Sequence, residues 1–215
     1  MKKAYSKENI IDTLNSILEQ GEISSLLKND EIKTYTYTYE KFIKHFKKLR
    51  EKDEEEWLVI GSSIVYSWMP TILNIGGRDL KEDKNLHKIK KDAIEGLNNI
   101  SNNLDGESSK KDLKKLKLFI NNSVVGMSKF LHFSFPKKYP IWDSRVESVL
   151  YHPKTKSNYH RLKNIDNYIK YRNSCLDFIK DEKKGLIKQF ENYTELKGLS
   201  NLRRIEFLLF LKGGE

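Results

Sequence analysis

Asp143 is the acidic residue whose surroundings are best suited to chemistry. It follows a loop bounded by Pro136 and Pro140, and it stands between the apolar pair Ile141-Trp142 and a basic residue, Arg145. A carboxylate in a cationic segment can stabilise positive charge that develops in a transition state, and it can orient or deprotonate a water molecule. Aspartate after a proline-containing loop is also a good helix N-cap. Asp143 can fill both roles.

The segment around Asp143 carries the whole charge excess of the chain. The protein has 215 residues and a net charge of +10, and residues 110–163 alone contain 13 Lys/Arg against 3 Asp/Glu. A local basic surface neutralises phosphates and releases their counterions, which is the main sequence-independent contribution to nucleic-acid affinity. A proteome rich in lysine would also produce basic surfaces. The clustering in one quarter of the chain favours nucleic-acid binding.

Several other kinds of site are excluded by composition. A single cysteine, Cys175, rules out an intramolecular disulfide, a Cys-rich zinc site and a four-cysteine iron–sulfur cluster. The five histidines show no metal-ligand spacing, and Gly76-Gly77 lacks the flanking residues of a phosphate-binding loop. We therefore expect neither a metal nor a cofactor.

The elements that must position these residues are predicted to be helices. Glycine (11) and proline (4) are few, and alternating strand patterns are scarce. One short strand is predicted at residues 33–39, where Thr and Tyr alternate. Helical periodicity predicts an all-α protein of eight to ten helices, over residues 6–20, 39–52, 57–68, 83–104, 110–121, from about 128, 143–151, 164–182 and 199–211.

Residues 119–146 combine these features in one motif. Their sequence, FINNSVVGMSKFLHFSFPKKYPIWDSRV, indicates a helix, a tight turn, a second helix, a proline-bounded loop and an acid at the start of a third helix. It resembles the helix-hairpin-helix DNA glycosylases, whose hairpin is followed by a loop ending in Pro-x-x-Asp. Gly126 matches the second glycine of the hairpin, and Asp143 matches the catalytic aspartate. The resemblance is best over residues 119–150, and weaker at residues 68–70 and 202–207.

The resemblance implies a fold and a set of DNA contacts. The fold is a single all-α domain over residues 1–215, made of two interlocked helical lobes, with at most a minor β element near the N-terminus and a helix-hairpin-helix element at about 110–150. The hairpin would bind a DNA phosphate through backbone N–H groups, and Asp143 would face the sugar of the target nucleotide. The expected DNA-binding residues are Gly126, Ser128, Lys129, Arg145, Lys154 and Lys156.

The sequence departs from the family at the hairpin and at the position of a nucleophilic lysine. Val124 stands where the first hairpin glycine is usual. Members with lyase activity carry a Schiff-base lysine two residues after the second glycine, where this chain has Ser128, and Lys129 follows it. One residue turns a side chain by about 100° on a helix. We therefore expect a monofunctional enzyme that uses water, with Lys129 as a phosphate ligand or an electrostatic partner. A lyase role for Lys129 stays open if the turn is rebuilt.

A pocket for an extruded base is predicted from aromatic and amide side chains. Tyr66, Trp68 and Trp142 could stack on the base, and Asn121 and Asn122 could bind its edge. Aromatic residues at helical spacing also form cores, and asparagine also ends helices, so each residue has a structural alternative.

The predicted reaction is removal of a base from duplex DNA. Breaking an N-glycosidic bond gives the sugar oxocarbenium character, which one carboxylate can stabilise. The pattern is similar to that of glycosylases in bacterial antiviral defence, which remove modified, for example glucosylated, cytosines from phage DNA. We expect a cytoplasmic monomer, since no secretory signal is visible and the longest apolar stretches are too short to span a membrane. The alternatives are a non-catalytic helix-hairpin-helix DNA-binding module and a helical protein whose basic face binds RNA or an acidic partner.

Overall fold

The computed structural model of the protein describes residues 4–28, 30–67, 69, 71–75, 86–103, 109–151, 157–181 and 185–214, which contain helices and no strand. Nine of the α-helices in these ranges have eight residues or more, which confirms the predicted all-α class. The helices are α1 (Lys7–Glu19), α2 (Ile23–Leu26), α3 (Asp30–Leu49), α4 (Glu54–Ser67), α5 (Leu86–Asn102), α6 (Lys110–Phe119), α7 (Val124–Ser134), α8 (Ser144–Tyr151), α9 (Tyr159–Leu162), α10 (Ile165–Asp181), α11 (Leu186–Gln189) and α12 (Asn201–Lys212), with 3-10 turns at Phe190–Asn192 and Thr194–Leu196.

The strand predicted at residues 33–39 is wrong, because these residues lie inside α3. Tyr37 is 69% exposed whereas Tyr39 is 6% exposed. Residues two apart share a face of a strand but lie about 200° apart on a helix, so only the helix separates them in this way. Burial of Tyr39, Phe46 and Leu49 against the core outweighs the weak strand preference of threonine and tyrosine.

Helix α7 is the centre of the core. All but two of its eleven residues are buried, and the two exceptions, Val125 and Lys129, are four residues apart on one face. Aromatic rings from α3 and α4 pack against it: Phe46 and Trp57 both contact Phe130, with ring centroids 5.7 and 6.0 Å away. Neighbouring helices hold α7 on nearly every side. The position of Lys129, which lies on the half-buried face of α7, is therefore fixed.

The turn between α6 and α7 is made by asparagines instead of glycines. Asn121 and Asn122 have φ values of 54° and 51°, in the left-handed region that asparagine tolerates better than most residues. Ser123 then caps α7, and its hydroxyl accepts a hydrogen bond from the N–H of Gly126 at 3.1 Å. The second helix therefore begins at Val124 and not near Ser128 as predicted.

Gly126 lies in the first turn of α7 and not in the hairpin turn. A Cβ at this position would lie 2.7 Å from the Tyr66 hydroxyl and 2.9 Å from Cγ2 of Ile120. Gly126 is buried, and its N–H is already bonded to Ser123. The structure therefore gives Gly126 a packing role, the close approach of α4 to α7, in place of the predicted phosphate contact.

Helix α12 packs against several other helices of the core. It packs most extensively on α8 and also contacts α1 and α10. Nine of its twelve residues are buried, and three of these are charged: Arg203, Arg204 and Glu206. Within the described ranges, no helix combines the length and the apolar character that a membrane-spanning segment requires.

Replacing Gly126 by alanine should destabilise the protein by about 1–3 kcal/mol, because the added methyl group overpacks the contact between α4 and α7. Urea denaturation followed by circular dichroism measures the change. In a Tyr66→Phe background, where the clashing hydroxyl is absent, the same substitution should cost less. Equal losses in the two backgrounds would contradict the assigned contact.

Candidate functional site

Asp143 is half-buried and precedes α8, as predicted. Its Oδ1 accepts hydrogen bonds from the backbone N–H groups of Arg145 and Val146, both at 3.0 Å. These bonds are those of a helix N-cap, so the predicted capping role is confirmed. They also fix the orientation of a carboxylate that is not sealed in the core.

Lys129 lies close enough to Asp143 for their charges to interact. Burial lowers the pKa of the Lys129 ammonium, while the negative charges of Asp143 and Glu206 act in the opposite direction. Asp143 is 14 residues further along the chain, on the loop that returns from α7 to α8. The structure thus brings together the two residues predicted to be catalytic.

A buried ion pair on α12 completes this cluster. The guanidinium of Arg203 donates a hydrogen bond to the Glu206 carboxylate, and the two residues are only 4% and 1% exposed. Burial raises the pKa of Glu206 to about 7; Arg203 and Lys129 lower it, whereas Asp143 raises it. Lys129, Asp143, Arg203 and Glu206 are called the charged quartet below.

Arg203 and Glu206 were not predicted from the sequence as site residues. A signal was present, since they stand three residues apart in α12, just before the apolar run Phe207–Leu211. Charged residues are almost never fully buried unless they are paired, so an i,i+3 acid–base pair in an apolar helix indicates such a pair.

His132 links the charged quartet to the core. Its Nδ1 lies 2.7 Å from the carbonyl oxygen of Tyr139, and its Nε2 lies 2.9 Å from the Tyr39 hydroxyl. Since a carbonyl only accepts, Nδ1 carries the proton, and Nε2 of the neutral ring accepts from Tyr39. Burial, and then the positive charge of Arg203, lower the pKa of His132 to about 3. His132 is therefore a neutral packed residue and not a general base.

Ser128 and Trp142 position the loop that carries Asp143. The Ser128 hydroxyl accepts a hydrogen bond from the Trp142 backbone N–H at 3.0 Å. The Trp142 ring is 0% exposed, and its Nε1–H donates to the carbonyl oxygen of Leu162 at 3.0 Å. The predicted roles, a DNA contact for Ser128 and a base-stacking surface for Trp142, are corrected to structural ones, because neither side chain reaches the surface.

The other predicted pocket residues have structural roles or lie outside the described residues. Tyr66 is buried beside Gly126, and burial raises the pKa of its hydroxyl to about 12, so it is not a pocket wall. Asn121 accepts a hydrogen bond from the Asn74 N–H and donates one to the Ile72 carbonyl at 2.9 Å, so its amide binds a neighbouring loop and not a base. Asn122 is half-buried and shapes the turn. Trp68 lies outside the described residues.

The remaining predicted DNA-binding residues are Arg145, Lys154 and Lys156. Arg145 is half-buried, with its guanidinium 4.6 Å from the centre of the Phe210 ring. Lys154 and Lys156 lie outside the described residues. Other lysines of the segment 110–163 are nevertheless exposed at the surface.

Three lysines of this segment form what we call the lysine cluster: Lys114, Lys117 and Lys163. Burial, and then the charges of Lys163 and Lys114, lower the pKa of Lys117. Lys114 and Lys163 are exposed, and the Lys163 ammonium lies 4.1 Å from the ring centre of the exposed Tyr159. Nearby Lys110 and Lys115 are paired with Asp166 and Glu95. A cluster of like charges beside an exposed aromatic ring suits a polyanion with stackable groups.

Two further kinds of site do not support a function. No group of three His, Cys, Asp or Glu residues suited to a metal ion occurs in the part of the chain that the structure describes. A surface hollow near the start of α4 is lined by Asp53, Glu55, Glu56, Val59 and Ile60. Its acidic lining would repel a phosphate, and no member of the charged quartet lines it.

The buried neutral state of His132 predicts a pH-dependent stability. Because the pKa is lower in the folded protein than in the unfolded chain, the stabilisation is complete above about pH 6.5 and falls towards pH 3, by at most about 1.4 kcal/mol per pH unit. His132→Gln should flatten the curve of unfolding free energy against pH in this range, whereas the exposed control His160→Gln should not. Parallel curves for His132→Gln and the wild type would show that His132 does not titrate in this way.

The chain matches no family model, no curated protein and no solved structure. Three features therefore bear on function: the charged quartet, the lysine cluster and the motif at residues 119–150. The first two are features of the structure, and the third is a resemblance in sequence.

Proposed function

We propose that the protein is a DNA glycosylase, which extrudes a base from duplex DNA and hydrolyses its N-glycosidic bond to leave an abasic site. The observation that supports this most is the carboxylate of Asp143, half-buried beside Lys129 in the most basic segment of the chain. The proposal includes the two-lobed, helix-hairpin-helix arrangement, with α6, the asparagine turn and α7 as the hairpin element.

Asp143 would stabilise the sugar cation and direct the attacking water. As the bond to the base breaks, positive charge develops at C1′ and the ring oxygen, and a fixed carboxylate nearby lowers the barrier electrostatically. The two N–H groups at the start of α8 hold this carboxylate in place, so little reorganisation is needed at the moment of reaction. In this hydrolytic scheme Lys129 acts as the electrostatic partner of Asp143.

A second candidate is a glycosylase in which the neutral amine of Lys129 attacks C1′ as the base leaves. The Schiff base that forms after the sugar ring opens then cleaves the strand by β-elimination of the 3′ phosphate. The desolvated ammonium with a lowered pKa next to a carboxylate favours it. The one-residue offset of Lys129 was counted from Gly126 as the second glycine of a hairpin turn. Because Gly126 lies inside α7, which begins at Val124, that count no longer fixes the direction of Lys129.

Duplex DNA would lie along the surface of residues 110–163, with phosphates at the lysine cluster. A modified cytosine, for example a glucosylated one in phage DNA, is the proposed target, and antiviral defence by a cytoplasmic monomer is the proposed setting. The lysine cluster would serve equally in a DNA-binding module without catalysis, so the experiments below separate binding from base release.

The first experiment tests Asp143. Asp143→Asn should reduce base release by at least about 100-fold and leave duplex affinity largely unchanged, because asparagine caps a helix as well as aspartate does but carries no charge. Abasic sites are counted by alkaline cleavage of duplexes that contain cytosine or glucosylated hydroxymethylcytosine. Asp53 provides a matched control, because it caps α4 in the same way, with its Oδ1 accepting from the Glu56 N–H at 2.8 Å. Asp53→Asn should release base normally.

Borohydride added to the same reactions separates the two catalytic schemes. A covalent adduct that is lost in Lys129→Arg supports attack by the amine, and base release without an adduct supports hydrolysis. DNA binding without base release by the wild-type protein on either duplex would reject both schemes in favour of the binding module.

The second experiment tests the lysine cluster. Lys114→Gln and Lys163→Gln should each weaken binding to duplexes of any sequence, and each should reduce the slope of log affinity against log salt by about 1. Fluorescence anisotropy at several salt concentrations measures both quantities. Lys188→Gln is the control, since Lys188 is exposed on α11, outside the basic segment. Salt slopes that stay at the wild-type value in both cluster variants would place the DNA elsewhere.

A further inference from the structure

The Arg203–Glu206 ion pair is not expected to stabilise the fold more than apolar side chains of similar volume would. Both side chains are almost completely buried, and desolvating two charges offsets much of their attraction. Apolar side chains of similar volume often stabilise a protein at least as well as a buried ion pair. Stability alone therefore does not explain why this ion pair is buried here.

Glu206 shares a face of α12 with Phe210 and Gly213, which follow it by four and seven residues. Further along this face, Phe210 lies under the guanidinium of Arg145, and a Cβ on Gly213 would lie 2.1 Å from the Arg145 carbonyl oxygen. Arg145 is two residues after Asp143, and Glu206 is about one helical turn before Phe210. A contact of α12 thus lies next to Asp143, the cap of α8, and the charge of Asp143 acts on Glu206.

The position of Arg203 is fixed by aromatic rings. Its guanidinium lies 4.5 Å from the ring centre of Tyr39 and 4.9 Å from that of Phe207. Tyr39 is in turn hydrogen-bonded to His132 on α7, the helix that carries Lys129. The ion pair is thus connected to both elements that present Lys129 and Asp143.

We propose that Arg203 and Glu206 are positioning residues for Lys129 and Asp143, with Glu206 supplying a second buried carboxylate to the Lys129 ammonium and Arg203 holding that carboxylate in place. When Glu206 is ionised, the quartet contains two positive and two negative side chains, a neutral set suited to a site of low dielectric. The catalytic consequence rests on the proposed glycosylase function, whereas the coupling between Glu206 and Lys129 does not.

The groups that face Glu206 come from four other elements. Lys129 is on α7, Asp143 precedes α8, Tyr39 is on α3, and Tyr171 and Cys175 are on α10. Burial raises the pKa of Tyr39, Tyr171 and Cys175 above their usual ranges, and these three groups therefore stay neutral at physiological pH. Because burial raises the pKa of Glu206 to about 7, we assign the change in charge near neutral pH to Glu206.

The test measures the ionisation of Lys129 directly in the folded protein. The ¹³Cε resonance of Lys129, assigned by its loss in Lys129→Arg, is followed with pH in protein labelled at lysine. In the wild type the resonance should show an inflection near pH 7, where Glu206 gains or loses its proton, in addition to the titration of the amine itself. Glu206→Gln should remove this inflection and move the amine titration to lower pH, because a favourable negative charge is lost.

Two variants control this measurement. Glu191→Gln removes an exposed carboxylate in the 3-10 turn Phe190–Asn192, which accepts a hydrogen bond at 2.7 Å from Arg204 of α12. This variant should leave the Lys129 titration unchanged. Glu206→Asp keeps the charge and should restore the inflection at least in part. A wild-type resonance without an inflection near pH 7, or an amine titration equal in Glu206→Gln and the wild type, would overturn the inference. The wild-type measurement decides the question even if Glu206→Gln fails to fold.

The enzymatic readout is kept separate from the resonance measurement. If base release is observed, Glu206→Gln should change its dependence on pH while duplex affinity stays at the wild-type value, and a structural pair would leave the pH profile unaltered. If the wild type releases no base, the proposed function fails, and the coupling between Glu206 and Lys129 is still decided by the resonance of Lys129.

Discussion

Charge balance within a poorly solvated space is the constraint on which the candidate site depends. The ammonium of Lys129 loses hydration in the folded protein, which favours its neutral form, and the carboxylates of Asp143 and Glu206 oppose this loss. Arg203 in turn compensates Glu206. Each of these side chains would be costly to bury alone, so their positions are linked, and the helices that carry them must be held in register.

The fold supplies that register through a few specific contacts. Ser123 and the two left-handed asparagines fix where α7 begins. Ser128 ties α7 to the backbone of Trp142, immediately before Asp143. Contacts between Arg145 and the end of α12 set the position of the buried pair. Polar side chains predicted to contact DNA are used instead to hold the candidate site together.

The prediction of the site from sequence was partly successful, for physical reasons. Asp143 was found because a cap after a proline-bounded loop is a local property, and the structure confirms the cap. The stacking roles of Tyr66 and Trp142 were wrong, because aromatic residues that could line a pocket have the same spacing as those that fill a core. Arg203 and Glu206 pair with each other locally, but they were missed as site residues because Lys129 and Asp143 are more than 50 residues away in sequence.

The sequence by itself determined the helical class, most helix positions, the concentration of positive charge in residues 110–163 and the cap at Asp143. These features depend on periodicity, composition and neighbouring residues, which act over a few turns of chain. Only the tertiary structure decided that residues 33–39 join a helix, that Gly126 is a packing residue and that Lys129 meets Glu206 and Asp143. These three features depend on which side chains are buried together. Residues that are distant in the chain come together only when the helices pack.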